Sequence, residues 1–354
     1  MVRGLPIADA YRRFSGLLSR RARLVLLCLA AMLPAGCGRT QNALEPESHQ
    51  ARDIASLFWW MMGGAWIGLA LVVGLLFLAW HRRHRRGWGR DTEGEKAGER
   101  VGWLVVVVGG IVVPIVLLAT LFVISNLFVI RTTEAPASNA TKRTILVIGR
   151  QWWWEVRYPG TPVVTANEIH IPVRTPVRVE VRTADVIHSF WAPELNRKID
   201  AIPGTTNVIE LSADRVGHYR GDCAEFCGLQ HAHMGLVVVA QPAPAFGRWL
   251  AAQSRPAPPP QAESARRGER VFVDGACSSC HAIRGTDAHG FVGPDLTHVA
   301  SRNTLGALTV LNTRDNLTEW VRDSQHFKPG NQMPAFHLGP SRLQAVVDYL
   351  EELK

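Results

Sequence analysis

Two uncharged apolar runs, from about Ile54 to Trp80 and from about Val101 to Ile130, restrict this chain more than any other feature. Each exceeds the ~20 residues that a helix needs to cross a hydrocarbon layer. Trp59, Trp60, Trp80 and Trp103 lie near their ends, where amphipathic rings favour an interface. The connection carries His81-Arg82-Arg83-His84-Arg85-Arg86, with Arg90, Lys96 and Arg100 beyond it. Positive charge stays on the cytoplasmic side, so residues 38–131 read as a transmembrane hairpin with both ends outside.

Residues 1–37 have the pattern of an export signal. Arg12, Arg13, Arg20, Arg21 and Arg23 precede an apolar run from Leu24 to Leu33, too short to span a bilayer. Leu33-Pro34-Ala35-Gly36-Cys37 resembles a bacterial lipoprotein cleavage box, although Pro34 stands where that box prefers Leu. Lipidation of Cys37 and ordinary signal cleavage both fit. The whole chain has 354 residues, is 47% hydrophobic and carries a net charge of +9, most of its excess in the N-terminal block and the hairpin loop. Basic and aromatic residues are not interleaved, which argues against nucleic acid as a partner.

From residue 142 to 240 the pattern changes. Thr144–Gly149, Glu168–Val173 and Val177–Arg182 are short runs rich in β-branched residues, the last two alternating apolar and polar. Gly and Pro separate them. This predicts an all-β sandwich or barrel, closed by a strand from Leu236 to Ala240. Residues 241–261, with Pro256 and Pro258-Pro259-Pro260, read as a semi-rigid Pro/Ala-rich linker. Residues 262–354 are mainly helical in pattern, with a first helix over Ala265–Phe272 and a last over Ser341–Leu353.

The six cysteines place the chemistry. Cys223 and Cys227 lie with His231, His233 and Met234 in one short loop. Soft thiolate and thioether ligands select copper, and imidazole suits it as well. A further histidine is needed, and His188, at the end of a strand, is the natural candidate. A ligand loop between strands plus one remote histidine is the layout of copper sites on cupredoxin sandwiches. Cys277-Ser278-Ser279-Cys280-His281 is the attachment motif of haem c: two thiols for two vinyl groups and a histidine for the iron. Met333 is the candidate second axial ligand, since methionine raises the potential relative to a second histidine. His289, His298, His326 and His337 are its rivals. The expected fold class is multidomain: an N-terminal two-helix transmembrane hairpin, an all-β sandwich at 142–240 that resembles a cupredoxin, and a C-terminal all-α domain at 262–354 that resembles a cytochrome c.

The pattern Cys-x-Glu-x-Cys-x3-His-x2-Met, preceded by His188-Ser189-Phe190-Trp191, resembles the binuclear CuA site of cytochrome c oxidase subunit II. The resemblance covers most of residues 50–240. It implies that Cys223 and Cys227 bridge two coppers, that His188 and His231 bind one each, and that Met234 and the Glu225 carbonyl are weak axial ligands. His233 falls on no ligand position. Asp222 departs from the family, which has Gln there. The resemblance also implies that the Glu225 side chain helps to bind magnesium at the catalytic subunit. In Gly149-Arg150-Gln151-Trp152-Trp153-Trp154 it makes Trp152 the electron port, with Trp153 and Trp154 equally readable as packing. Glu99 matches a family carboxylate linked to proton entry, and Glu95 competes with it. Residues 262–354 resemble a class I cytochrome c, in whose loop Pro294 accepts the proton of the axial histidine.

The combination resembles subunit II of a caa-type oxidase in a bacterial inner membrane, with the copper and haem domains on the periplasmic or outer side. Its implied role is electron entry: from cytochrome c or its own haem c, through the copper pair, to the haem-copper catalytic subunit that reduces oxygen to water with proton translocation. The alternatives are the electron-entry subunit of a nitric oxide reductase and a copper-delivery assembly protein.

Overall fold

The computed structural model describes residues 41–85, 92–130 and 143–354, with backbone alone for residues 85, 92–97 and 128. The expected export signal and Cys37 lie outside the described residues. The first apolar run is helix α1 (His49–Arg85), longer at both ends than its apolar stretch. Its start is fixed by the sandwich. Ser48 Oγ accepts from Ala51 N at 3.0 Å, capping the first turn, and donates to the Leu195 carbonyl. Gln50 Nε2 reaches Glu210 at 2.6 Å, and Arg52 and Glu47 pair with Asp214 and Arg215.

The second run begins within α2 (Thr92–Val107) and continues as α3 (Val113–Ile124), with π-helical turns at Val108–Val112 and Ser125–Ile130. Gly109 and Gly110 sit in the first of these turns. In the second, Ser125 Oγ and Asn126 Nδ2 both donate to Phe122 O, at 3.0 and 2.9 Å, in competition with the regular ladder. The helices over His49–His84 and Gly98–Leu127 are long and apolar enough to cross a membrane, and their apolar stretches are unburied.

Ten strands form two facing sheets. One has the order β3 (Val164–Ala166), β2 (Trp153–Arg157), β1 (Thr144–Arg150), β5 (Val177–Thr183), β8 (Asn207–Leu211). The other runs β4 (Glu168–Pro172), β10 (Gly235–Gln241), β9 (Gly217–Cys223), β6 (His188–Trp191), β7 (Ile199–Ala201). β5 buries every second residue, as its alternation predicts, and so does β1, whereas β4, which also alternates in sequence, is buried at every position but His170. Val147, Trp154, Val179, Val181, Phe190, Ile209, Leu236 and Val238 meet between the sheets, each fully buried. Burial of one such side chain contributes roughly 1.5–3 kcal/mol.

Residues 241–261 depart from the linker expectation. Gln241 ends β10, and α4 (Ala243–Gln253) follows at once, with Pro242 as its N-cap. Phe246, Trp249 and Leu250 give it an apolar face at helical spacing, and that face belongs to the sandwich core. Phe246 is buried, and Trp249 stacks on His170 with ring centroids 3.9 Å apart. Beyond Pro242, only residues 254–261 of this segment lie outside helix and strand, and Arg284 holds their start through the carbonyls of Gln253, Ser254 and Arg255. The prolines suggest a spacer, but the aromatic face outweighs them.

The C-terminal part packs α5 (Glu263–Val273), α6 (Arg314–Arg322) and α7 (Pro340–Glu352) around Phe272, Leu343, Val346, Val347 and Leu350. A short hairpin, β11 (Thr304–Leu305) with β12 (Val310–Leu311), interrupts the helices. From Ala43 onward the sandwich and this helical part form one compact unit.

Candidate metal centres

Strand pairing assembles the copper loop. Phe190 on β6 lies opposite Cys223 on β9, which sets His188 beside the end of β9. Cys223 N donates to Met234 O at 3.0 Å and closes the loop where β9 passes into β10. Inside it the donor atoms converge. The two sulfurs are 3.8 Å apart, too far for a disulfide, whose S–S bond is about 2.05 Å. His188 Nδ1 lies 3.9 Å from Cys223 Sγ, and His231 Nδ1 lies 3.7 Å from Cys227 Sγ. Met234 Sδ is 3.8 Å from Cys227 Sγ, and the Glu225 carbonyl is 3.2 Å from Cys223 Sγ. His188, Cys223, Cys227 and Met234 are buried. His233 is exposed and turned onto Gln230, with Nδ1 2.7 Å from Oε1.

The surroundings prepare these donors. Asp185 Oδ1 lies 2.7 Å from His188 Nε2, which places the proton there and leaves Nδ1 aimed at the sulfurs. Burial pulls the His188 imidazole pKa down, but the hydrogen bonds to Asp185 and Cys223 outweigh it and leave the pKa raised. The bond between the two thiols holds Cys223 in the thiolate range and resists ionisation of Cys227. One sulfur is thus ready to bind, and a cation can take the place of the second proton. Two thiols, two imidazole Nδ1 atoms, a thioether and a carbonyl in one buried nest suit copper in kind and number.

Gly149 is a residue that the motif reading missed. A Cβ on it would stand 2.7 Å from His188 Cδ2, so only glycine admits the ring against β1. Trp154 is core, buried edge-on to His188 and Phe190 at 5.9 and 5.8 Å. Trp152 does something else. Its Nε1 donates to Cys227 O at 3.0 Å, and the same ring lines a cavity in the helical part.

That cavity measures about 180 Å³ and is lined by Phe272, Cys277, Cys280, His281, Trp320 and Met333. His281 Nδ1 lies 2.8 Å from the Pro294 carbonyl. A carbonyl only accepts, so Nδ1 carries the proton and Nε2 keeps its lone pair. Burial lowers the pKa of this imidazole, which favours the neutral ligating form. Gly293 leaves room for the ring, since its Cβ would lie 2.5 Å from His281 Cε1. Met333 is held by Asn331 Oδ1 on its N–H, at 2.8 Å, and by Gln325 Nε2 on its carbonyl, at 2.8 Å.

The rival histidines stand elsewhere. His298 has both ring nitrogens on carbonyls, of Lys354 at 2.7 Å and Arg255 at 3.0 Å, while His289, His326 and His337 are exposed. Arg302, also missed, lines the cavity while buried, and its Nε has no hydrogen-bond partner. A buried cation with a spare donor suits a carboxylate-bearing ligand, as the paired cysteines suit a covalent macrocycle. The residues fit a haem c. Glu99 lies exposed on α2, and Glu95 is described by its backbone alone.

Residues 161–241 match the family model for the periplasmic domain of cytochrome c oxidase subunit II, and residues 265–354 match that for cytochrome c. Cytochrome c oxidase subunit 2 of Alkalihalophilus pseudofirmus is 31% identical over 94% of this chain and 97% of its own length. The subunit 2 of Bacillus sp. strain PS3 is 32% identical over 69% of this chain and 72% of its own. The crystal structure of the periplasmic domain of cytochrome oxidase subunit II from Bradyrhizobium japonicum is 32% identical, covering 32% of this chain and 94% of that one, with a TM-score of 0.31. With a relative aligned along nearly its whole length, this chain belongs to the cytochrome c oxidase subunit II family, in a form fused to a cytochrome c domain, and is an electron-entry subunit of an oxidase complex.

Proposed function

We propose that this subunit relays single electrons from cytochrome c or another donor, outside the inner membrane of a bacterium, to the catalytic subunit of a haem-copper oxidase. When bound, a haem c and a copper pair supply one-electron redox centres, used in that order before the partner's haem, where oxygen is reduced to water with proton translocation. Cys223 and Cys227 would bridge the coppers, and His188 and His231 would take one each. Met234 Sδ and the Glu225 carbonyl would be weak axial donors. Cys277 and Cys280 would carry the haem through thioether bonds, with His281 and Met333 on its iron and Pro294 orienting His281. The Glu225 carboxylate would share a magnesium ion with the catalytic subunit, and Glu99 would serve proton entry from the cytoplasmic side. The domain limits follow the sequence reading, with α4 assigned to the sandwich.

The observation that carries this reading is the pairing in the copper loop: each buried sulfur faces one imidazole Nδ1, at 3.9 and 3.7 Å, and both face each other at 3.8 Å. A single tetrahedral zinc would use two sulfurs and two imidazoles and leave the Met234 thioether and the Glu225 carbonyl idle, whereas a metal pair can use all six donors. The relatives that align along the chain are oxidase subunits, which favours oxygen over nitric oxide as the final acceptor. The test is purification of the complex from membranes, with copper analysis, optical and paramagnetic resonance spectra, and turnover with each acceptor. The expected result is two coppers and one haem c per subunit, with oxygen consumed. A complex that turns over nitric oxide alone, or that holds zinc in place of copper, would overturn the reading.

A further inference from the structure

Lys328 lies in the helical part, five positions before Met333, and is 3% exposed. A buried lysine needs partners, because an uncompensated ammonium in the interior is costly. Desolvation pushes its pKa down to about 7, against the pull of Cys227. Its Nζ has three protons to donate and finds three carbonyls: Trp152 O at 2.7 Å, His233 O at 2.7 Å and Gly306 O at 3.1 Å. The first two belong to the sandwich, His233 within the copper loop and Trp152 in the β1–β2 turn beside it. The third belongs to the turn of the β11–β12 hairpin. One side chain therefore ties the copper loop to the domain that holds the cavity.

The neighbouring contacts are built for the same docking. Ala307 and Leu308 both have left-handed backbone, φ 61° and 64°, which ordinary side chains avoid. Such a turn persists where its surroundings demand it. Here it turns the Ala307 carbonyl onto Gly235 N, at 3.2 Å, at the exit of the copper loop. Gln230 of the loop donates to Pro329 O, next to Lys328. Glu168 on β4 accepts from Asn303 N at 2.9 Å. The clamp also reaches the candidate iron ligand. The Lys328 carbonyl accepts from Asn331 Nδ2 at 2.7 Å, and Asn331 Oδ1 holds Met333 N.

We propose that Lys328 is a positioning residue: it clamps the cytochrome domain onto the copper loop and so fixes the geometry through which the haem reduces the copper pair. The inference rests on the proposed route from haem to copper. In that step the haem loses one electron and the copper pair gains it. The domain does not swing on a tether to meet the sandwich. It is already seated, with Trp152 between the cavity and Cys227.

The test compares the wild-type oxidase complex with Lys328→Met, which keeps the length and loses all three donors, and Lys328→Gln, which retains two. Hydrogen exchange is measured on segments 228–237 and 302–311, and reduction of the copper pair from haem c by rapid mixing at several viscosities. In Lys328→Met both segments should exchange at least tenfold faster. The internal electron transfer should slow at least tenfold and become viscosity-dependent. Haem spectrum, copper content and the onward rate to the catalytic subunit should be unchanged, with Lys328→Gln intermediate. A Lys328→Met complex with wild-type exchange and wild-type internal rate would overturn the proposal. Should that variant fail to assemble, the wild-type complex decides. A viscosity-independent internal rate supports the clamp, and a rate that falls in inverse proportion to viscosity overturns it. Absence of either centre from the wild type would fail the proposed function instead, while the exchange measurement, which needs neither centre, still judges the clamp.

Discussion

At Gly149 the absence of a side chain decides where His188 can stand. A methyl group there would lie 2.7 Å from the ring, and the neighbour is a fixed imidazole in a buried strand, not a flexible tail. Gly149→Ala should therefore displace His188, so that the copper centre loses or shifts its near-infrared and resonance signals while the haem spectrum stays unaltered. Unchanged copper spectra in that variant would mean that the ring has room to move. The donors themselves differ in weight. Cys227→Ser should abolish the binuclear signal, since a hydroxyl cannot bridge two coppers as a thiolate does. Met234→Leu should retain copper with a shifted spectrum and slower transfer, because a thioether binds weakly. Copper analysis and paramagnetic resonance on both proteins check the contrast. The candidate donors that the fold brings together were legible in the sequence where they cluster by number: Cys223 to Met234, and Cys277 to His281. Gly149 and Lys328 were not, because each acts on a partner far away in the chain that only the fold brings near, and neither was Arg302, whose burial against the cavity is a product of packing.

Among the elements, α4 shows how composition misleads. Prolines at 256 and 258–260 mark a spacer, yet the residues before them place Phe246 and Trp249 on one helical face. A helix of this length is marginal alone and gains its stability from the surface it covers. Phe246 is 2% exposed beneath Tyr158 and Trp249. Phe246→Ala should cost about 3–5 kcal/mol through lost contact and the remaining cavity. Denaturant unfolding followed through the sandwich's tryptophan signal measures it, and a loss below about 1 kcal/mol would show that α4 is not part of the core. The strands were more readable, because a period of two, as in β5, has one solution when one face is buried, although β4 carries the same pattern and is buried on both faces. The two apolar helices were legible in kind from length alone. The π-helical turns of the second were not: one falls on Gly109 and Gly110, and the other where the side chains of Ser125 and Asn126 compete with the backbone ladder.

In the whole molecule, the proposed relay rests on a docked domain rather than a tethered one. A flexible linker gives a domain an effective concentration of order mM, and each transfer then waits for an encounter. A seated domain has no encounter to wait for, and the barrier that remains belongs to the transfer itself. Trp152 is where this geometry concentrates. It lines the cavity of the cytochrome domain, bonds through Nε1 to the carbonyl of Cys227, and offers its own carbonyl to Lys328. The chain's own cytochrome domain thus packs against the face of the sandwich that carries it, and on the proposed route an external donor would deliver its electron to the haem first. Trp152→Ala should slow reduction of the copper pair from haem c by at least tenfold while leaving copper content, haem spectrum and external reduction of the haem as they are. Internal transfer should remain first order and independent of protein concentration in both proteins. Rapid mixing with a reductant that meets only the haem separates the two steps. If copper is reduced at the wild-type rate in Trp152→Ala, the electron takes another path across this interface, and the tryptophan is only part of its packing.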